Sequence, residues 1–216
     1  MNVKLLASAG LALGLTAGFI PLAAADPGWY VGLSGGQSKA DTNGGELDST
    51  FRSLGFTSSS SVDDKDTGWK LFAGYQFNPN FAVEGGYVDL GKFSFNTTVT
   101  AAPAGYTTGS LSGNVKTKNG FLVDAVGIWP ATDKFSVFGK LGAYSIKTEL
   151  SASGPSGSVN QSSTDSDFHW GVGAGYDFDK NIGARLEWER FNDVGNKDKT
   201  GEANVDLLSV GVVYKF

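Results

Sequence analysis

The sequence predicts an all-β protein: an eight-stranded antiparallel up-and-down transmembrane β-barrel. Three observations carry that expectation. Beyond residue 25 apolar and polar residues alternate with period two, and the 3.6-residue period of an amphipathic helix is hard to find. The alternating segments are each close to the roughly 9–11 residues that a tilted strand needs to cross a bilayer. Their connections alternate between tight turns and long stretches, as in barrels with short turns on one side of the membrane and long loops on the other.

In chain order, residues 1–25 read as an export signal. Lys4 supplies its positive charge, Leu5 to Leu22 is almost wholly apolar or small, and Ala23-Ala24-Ala25 fits a small-x-small cleavage site before Asp26. Gly10, Gly14, Gly18 and Pro21 interrupt the stretch as a membrane-spanning helix. Residues 26–216 then form one barrel domain. Its strands are expected at Gly28–Ser38, Thr67–Phe77, Phe81–Phe93, Asn119–Trp129, Lys134–Lys147, Asp165–Phe178, Ile182–Phe191 and Val205–Phe216. Residues 78–80, 130–133 and 179–181 are the tight turns. The long connections include Ser58 to Ser61, Ala101 to Gly109 and Ser151 to Ser163, rich in Ser, Thr, Gly and small residues, and are expected to be mobile solvated chain.

Each strand has one continuous apolar face. Phe168, Trp170, Val172, Ala174, Tyr176 and Phe178 alternate with His169, Gly171, Gly173, Gly175 and Asp177; Leu208, Val210, Val212, Tyr214 and Phe216 alternate with Ser209, Gly211, Val213 and Lys215. A soluble ligand-binding barrel shows the same period with its apolar face inside. The composition of the other face decides against it, because Gly, Ser and a few charges suit a narrow filled lumen rather than a solvated exterior. Trp29, Tyr75, Phe77, Trp129, Tyr176, Phe178, Tyr214 and Phe216 gather near strand ends, as the interfacial girdle of a membrane barrel does. Hydrocarbon offers no hydrogen bonds, so a spanning sheet must close on itself to satisfy its backbone.

Composition excludes several classes. A net charge of −5 argues against a nucleic-acid partner. With no cysteine, a disulfide framework, a thiolate metal site and a cysteine nucleophile are out. No cofactor is implied.

The residues also resemble a known family. Gly74-Tyr75-Gln76-Phe77-Asn78-Pro79, Val83-Glu84-Gly85-Gly86-Tyr87 and Leu90-Gly91-Lys92 are similar to the second and third strands of the outer membrane protein A transmembrane domain. Ala184-Arg185-Leu186-Glu187-Trp188 resembles its seventh strand. Residues 208–216 resemble its eighth, including the terminal aromatic read by the barrel assembly machinery. The resemblance implies a Gram-negative outer-membrane location, outer-membrane lipids as surroundings, and a lumen charge network at Glu84, Arg185 and Glu187. The chain ends where the last strand ends, so the family's periplasmic peptidoglycan-binding domain is not expected. The assignment of faces adds Lys70, Asp124, Lys140, Asp177, Glu189 and Lys215 to the inward set. Acids and bases nearly balance, which suggests mutual pairing and a plugged bore, with Glu84 and Arg185 or Lys140 as a central gate.

Other residue clusters have plainer readings. Asp165, Asp167 and His169 share one face near an outer strand end and could hold a divalent ion, although an ordinary polar rim is the expectation. A lipid-modifying barrel enzyme needs His and Ser together at the lipid face. His169 is the single histidine, on the polar face, and position 171 is Gly, so no enzyme is expected. Gly171-Val172-Gly173-Ala174-Gly175 lacks the following helix that a nucleotide loop requires. The expected role is structural or interactive, in envelope integrity, adhesion or surface recognition through the long outer loops. A narrow channel for ions or small solutes is the alternative.

Overall fold

A computed structural model describes residues 27–155 and 157–216; the export signal expected over residues 1–25 lies outside them. Ten strands and one helix follow in order: β1 (Gly28–Ala40), α1 (Gly44–Ser53), β2 (Thr57–Asp63), β3 (Lys65–Asn78), β4 (Phe81–Asp89), β5 (Lys92–Ala101), β6 (Gly109–Pro130), β7 (Phe135–Gly154), β8 (Gly157–Asp177), β9 (Ile182–Asn196) and β10 (Gly201–Lys215). Eight of them close an antiparallel ring in the order β1, β3, β4, β6, β7, β8, β9, β10, with β10 pairing back onto β1 from Tyr30↔Lys215 to Ala40↔Val205. Closure leaves no spanning edge without partners, which is what hydrocarbon demands.

The remaining two strands build upward from this ring. β5 pairs with the outer part of β6, and β2 pairs with β5 at the end of the sheet. The strand expected over Phe81–Phe93 therefore breaks at Leu90-Gly91. Gly91 sits at φ 84°, and a Cβ there would meet Asp66 Oδ2 at 2.6 Å. That same oxygen accepts the Lys92 N–H at 2.6 Å, so Asp66 fixes the corner where β4 hands over to β5.

The outer connections differ from the expected solvated loops. β6 begins at Gly109, and the β7–β8 ladder runs without a register shift from Phe135↔Tyr176 to Gly154↔Gly157. Above a bilayer both faces of a strand are wet. Ser and Thr can then fill every position while the ladder still satisfies the backbone, so the composition resembles that of a loop. Asn119, at φ 49°, sits where the β6–β7 register shifts between Lys118 and Phe121. Below it the odd residues of β6 face outward; above it the even ones do.

The outward face is apolar through the membrane zone: Val172, Leu208, Val210 and Val212 are each more than half exposed. The inward face is fuller than glycine and charge alone. A Cβ on Gly32 would lie 2.3 Å from the Phe72 ring, one on Gly74 2.4 Å from Tyr30, and one on Gly173 2.3 Å from Phe138. Each glycine is a notch for an inward ring. Two apolar clusters result, one built on Tyr30, Phe72, Val126, Phe138 and Val213, the other on Leu90, Leu122, Tyr144, Ile146, Phe191 and Leu207. The expectation of a bore filled by glycine and charge is corrected in this respect. Eight strands enclose space that side chains must fill, and a dry bore is filled most cheaply by apolar ones.

Candidate functional site in the lumen

Between the two apolar clusters lies a charged layer. β3 delivers Lys70, β4 Glu84, β7 Lys140, and β9 Arg185, Glu187 and Glu189, all on inward positions fixed by the two-residue pleat. Arg185 Nη1 donates to Glu84 Oε1 at 2.5 Å, and its Nε lies 2.9 Å from Glu187 Oε1. Lys140 Nζ reaches Glu84 at 3.3 Å, Glu187 at 3.0 Å and Glu189 at 3.3 Å. Lys70 Nζ reaches Glu187 at 2.5 Å and Glu189 at 2.6 Å. Tyr30 adds a hydroxyl donated to Glu84 at 2.8 Å. Three bases thus meet three carboxylates, with side chains almost wholly withdrawn from solvent, apart from a small exposed part of Arg185.

The aromatic clusters also hold the charges. The Arg185 guanidinium sits 4.2 Å from the Phe138 centroid and 5.0 Å from that of Phe72, and Lys70 Nζ lies 5.3 Å from Phe72. Ring faces attract cations, more strongly where water is excluded. The layer is therefore tied laterally by ion pairs and vertically by rings.

Not every inward charge joins this layer. Asp177 and Lys215 pair with each other at 2.7 Å at the end of the barrel bearing the short turns, half-exposed and apart from the rest. Asp124 faces His169, with Oδ1 to Nε2 at 2.7 Å. His169 stacks on Phe191 at 4.8 Å with the ring planes 2° apart. The candidate polar rim of Asp165, Asp167 and His169 is corrected accordingly: His169 is fully buried, and Asp165 instead accepts from the Asn196 side-chain amide at 3.0 Å. Inward parity on β8, shared with the lumen charges, was the available signal for His169.

The eight aromatics picked out near strand ends occupy one end of the barrel, that of the short turns. Trp29 packs on Tyr75, Tyr75 on Phe77, Tyr176 on Phe178 and Tyr214 on Phe216. Trp129 is 67% exposed on the same rim. A second belt at the other end, with Trp69, Tyr87 and Phe121 in sequence and Trp170 on Trp188, was missed. The strands continue past the membrane on that side, so these residues sit in mid-strand and no chain terminus marks them.

A closed ring with lipid-facing apolar walls, an aromatic belt at each end and a buried, ion-paired core defines a small membrane β-barrel. The comparisons with known proteins place it further. The chain belongs to the OmpA-like transmembrane domain family, whose sequence profile matches residues 24–216. It is 27% identical to outer membrane protein A of Shigella flexneri over 206 residues, covering 93% of this chain and 53% of that one. It is 26% identical to outer membrane protein A of Klebsiella pneumoniae over 195 residues, covering 88% and 52%. The chain thus spans about half the length of the curated relatives it matches. Among solved structures it is similar to Ail, the attachment invasion locus protein of Yersinia pestis, with a TM-score of 0.49, 17% identity and coverage of 88% of this chain and 97% of that one. Neisserial surface protein A gives a TM-score of 0.47, 14% identity and coverage of 87% and 97%. The protein is an outer-membrane β-barrel of the Gram-negative type, its short turns periplasmic and its long strands extracellular.

Proposed function

We propose that this barrel is a closed structural anchor that displays its extracellular strands at the cell surface, for envelope integrity, adhesion or recognition, and that it does not conduct. The filled lumen supports the reading: the buried, paired layer of Lys70, Glu84, Lys140, Arg185, Glu187 and Glu189 lies between two apolar clusters. A permeating ion would have to part buried pairs, at several kcal/mol each. Glu84 and Arg185 are the central tie of that plug. Extension of β6, β7 and β8 beyond the membrane supports the display role, since it gives the outer segments a ladder to stand on. A non-enzymatic role is supported by the single histidine, which is buried against Asp124 rather than placed at the lipid face. For assembly, the exposed Phe216, whose N–H bonds Trp29 O at 3.0 Å, ends the strand offered to the barrel assembly machinery.

Planar-bilayer recording of the folded chain tests this. Silence above leak is expected, and Arg185→Ala should introduce openings or lower stability. Stable openings of the native protein would establish the narrow channel instead.

A further inference from the structure

At the extracellular mouth of the barrel, α1 and the outer parts of β2, β5, β6 and β7 surround a cavity of about 460 Å³. Leu47 of α1, Val62 of β2, Phe93 and Phe95 of β5, Val115 of β6 and Leu150 of β7 form its walls. Gly113 lets the Phe95 ring lie back against β6, since a Cβ there would fall 2.6 Å from the ring. The floor is Val194 and Val205, which belong to the same buried cluster as Phe191 and Leu207, so the cavity ends above the filled lumen. The α1 wall is set in place by Asp48, which accepts from the Ser58 and Ser60 hydroxyls of β2 at 2.8 and 2.7 Å.

Its size and its mixture of apolar walls with a few polar groups suit a small organic molecule. The charges decide which one. Two carboxylates line the cavity, Glu46 in the first turn of α1 and Glu202 on β10, and among the described residues no Lys, Arg or His does. Glu202 meets Lys197 at 3.1 Å, but that ammonium is on a side chain 79% exposed, a contact of little strength that a better-placed cation can replace. An anionic ligand would face like charge, whereas a cation would meet both carboxylates and the faces of two phenyl rings. We propose that this cavity binds a small organic cation, an amine carrying an aromatic or short alkyl body, with the body against Val62, Val115 and Leu150 and the ammonium between Glu46 and Glu202. Burying the body removes two apolar surfaces from water at once. The proposal rests on the surface-recognition reading and gives it a ligand class; because the site stands above the lumen, its failure and the finding of an open channel are separate results.

The test is calorimetric titration of the folded chain in nanodiscs of neutral phospholipid, with empty discs subtracted. The probes are phenylbutylamine, phenylbutanol and phenylbutyrate, which share a body and differ in charge. The amine is expected to bind, the alcohol to bind more weakly, and the carboxylate not at all. An ion contact at an exposed rim is worth up to roughly fivefold in affinity. The double variant Glu46→Gln, Glu202→Gln should therefore bind the amine up to about 25-fold more weakly and the alcohol as before. Glu149→Gln, next to Leu150 but paired with Lys118 and Lys147 rather than lining the cavity, should bind the amine as the native chain does. Leu150→Trp, which fills the cavity, should abolish binding of amine and alcohol alike; should it disturb the sheet, Leu47→Trp on α1 must do the same. No binding of the amine, equal binding of the three probes, an unaltered double glutamine variant, or binding that survives both tryptophan variants would each overturn the proposal.

Discussion

Asp124 Oδ1 and His169 Nε2 lie 2.7 Å apart with both side chains fully withdrawn from solvent, yet no aligned hydrogen bond satisfies either group. The pair is held by proximity and by the Phe191 ring stacked on the imidazole. Removing one member leaves the other buried alone, which costs about 3–5 kcal/mol, whereas replacing both with apolar groups of similar size is near neutral or stabilising. Asp124→Leu and His169→Phe should each lower the urea midpoint in lipid vesicles. The double variant should recover most of the loss.

The charged layer makes a related prediction. Lys70 is the shortest contact of both Glu187 and Glu189, with its side chain fully buried. Lys70→Met would leave five charges in the layer with an excess of acid, and should cost about 3–5 kcal/mol in the same unfolding measurement. An unchanged midpoint would mean that water reaches the layer.

Gly32 tests the notches in the wall. Because its Cβ would fall 2.3 Å from Phe72 Cζ, Gly32→Ala should destabilise by about 1–3 kcal/mol through overpacking. Adding Phe72→Leu, which withdraws the ring, should restore part of that loss, and a double-mutant cycle would read the coupling.

Two valines of similar exposure separate lipid from water. Val210 is 64% exposed on β10 within the membrane zone, and Val159 is 51% exposed on the extracellular part of β8. Val210→Arg should cost about 2–4 kcal/mol if it lies at the bilayer midplane. Val159→Arg should leave the vesicle unfolding curve in place.

Asp48 on α1 accepts from Ser58 Oγ at 2.8 Å, Ser60 Oγ at 2.7 Å and the Ser60 N–H at 3.2 Å. The two hydroxyls hold its carboxyl below the usual carboxylate range. A depressed folded-state value means that its contribution is complete above the ordinary carboxylate range and is lost as pH falls through the lowered one. Limited proteolysis should therefore cut around α1 faster at strongly acidic pH, and Asp48→Ala should show the fast cleavage at neutral pH.

Much of the membrane zone is legible in the sequence, because lipid outside and a crowded bore inside impose opposite demands on alternate residues. Leu208, Val210 and Val212 against Ser209 and Gly211 show it directly. Inward parity also places Glu84, Arg185 and Glu187 in the bore. Their partners are not legible: Glu84 and Arg185 lie about a hundred residues apart, and only closure of the ring, through β1–β10 pairing, brings β4 and β9 face to face. Nor is the bulge at Asn119, which reverses parity and turns Lys116 and Lys118 outward. The extracellular strands were hidden for a different reason. In water on both faces, residues such as Ser158 to Ser163 carry no burial signal, and pairing with β7 alone makes them strand.

Among the described residues β2 ends the extracellular sheet with one side on β5 and the other without a ladder partner. α1 lies against that strand so closely that a Cβ on Gly44 would fall 2.2 Å from Ser60 O, and Asp48 takes the Ser60 N–H. An uncovered edge is a template on which a foreign chain can add a strand. The short helix, lying on that edge, withholds the template from an added strand.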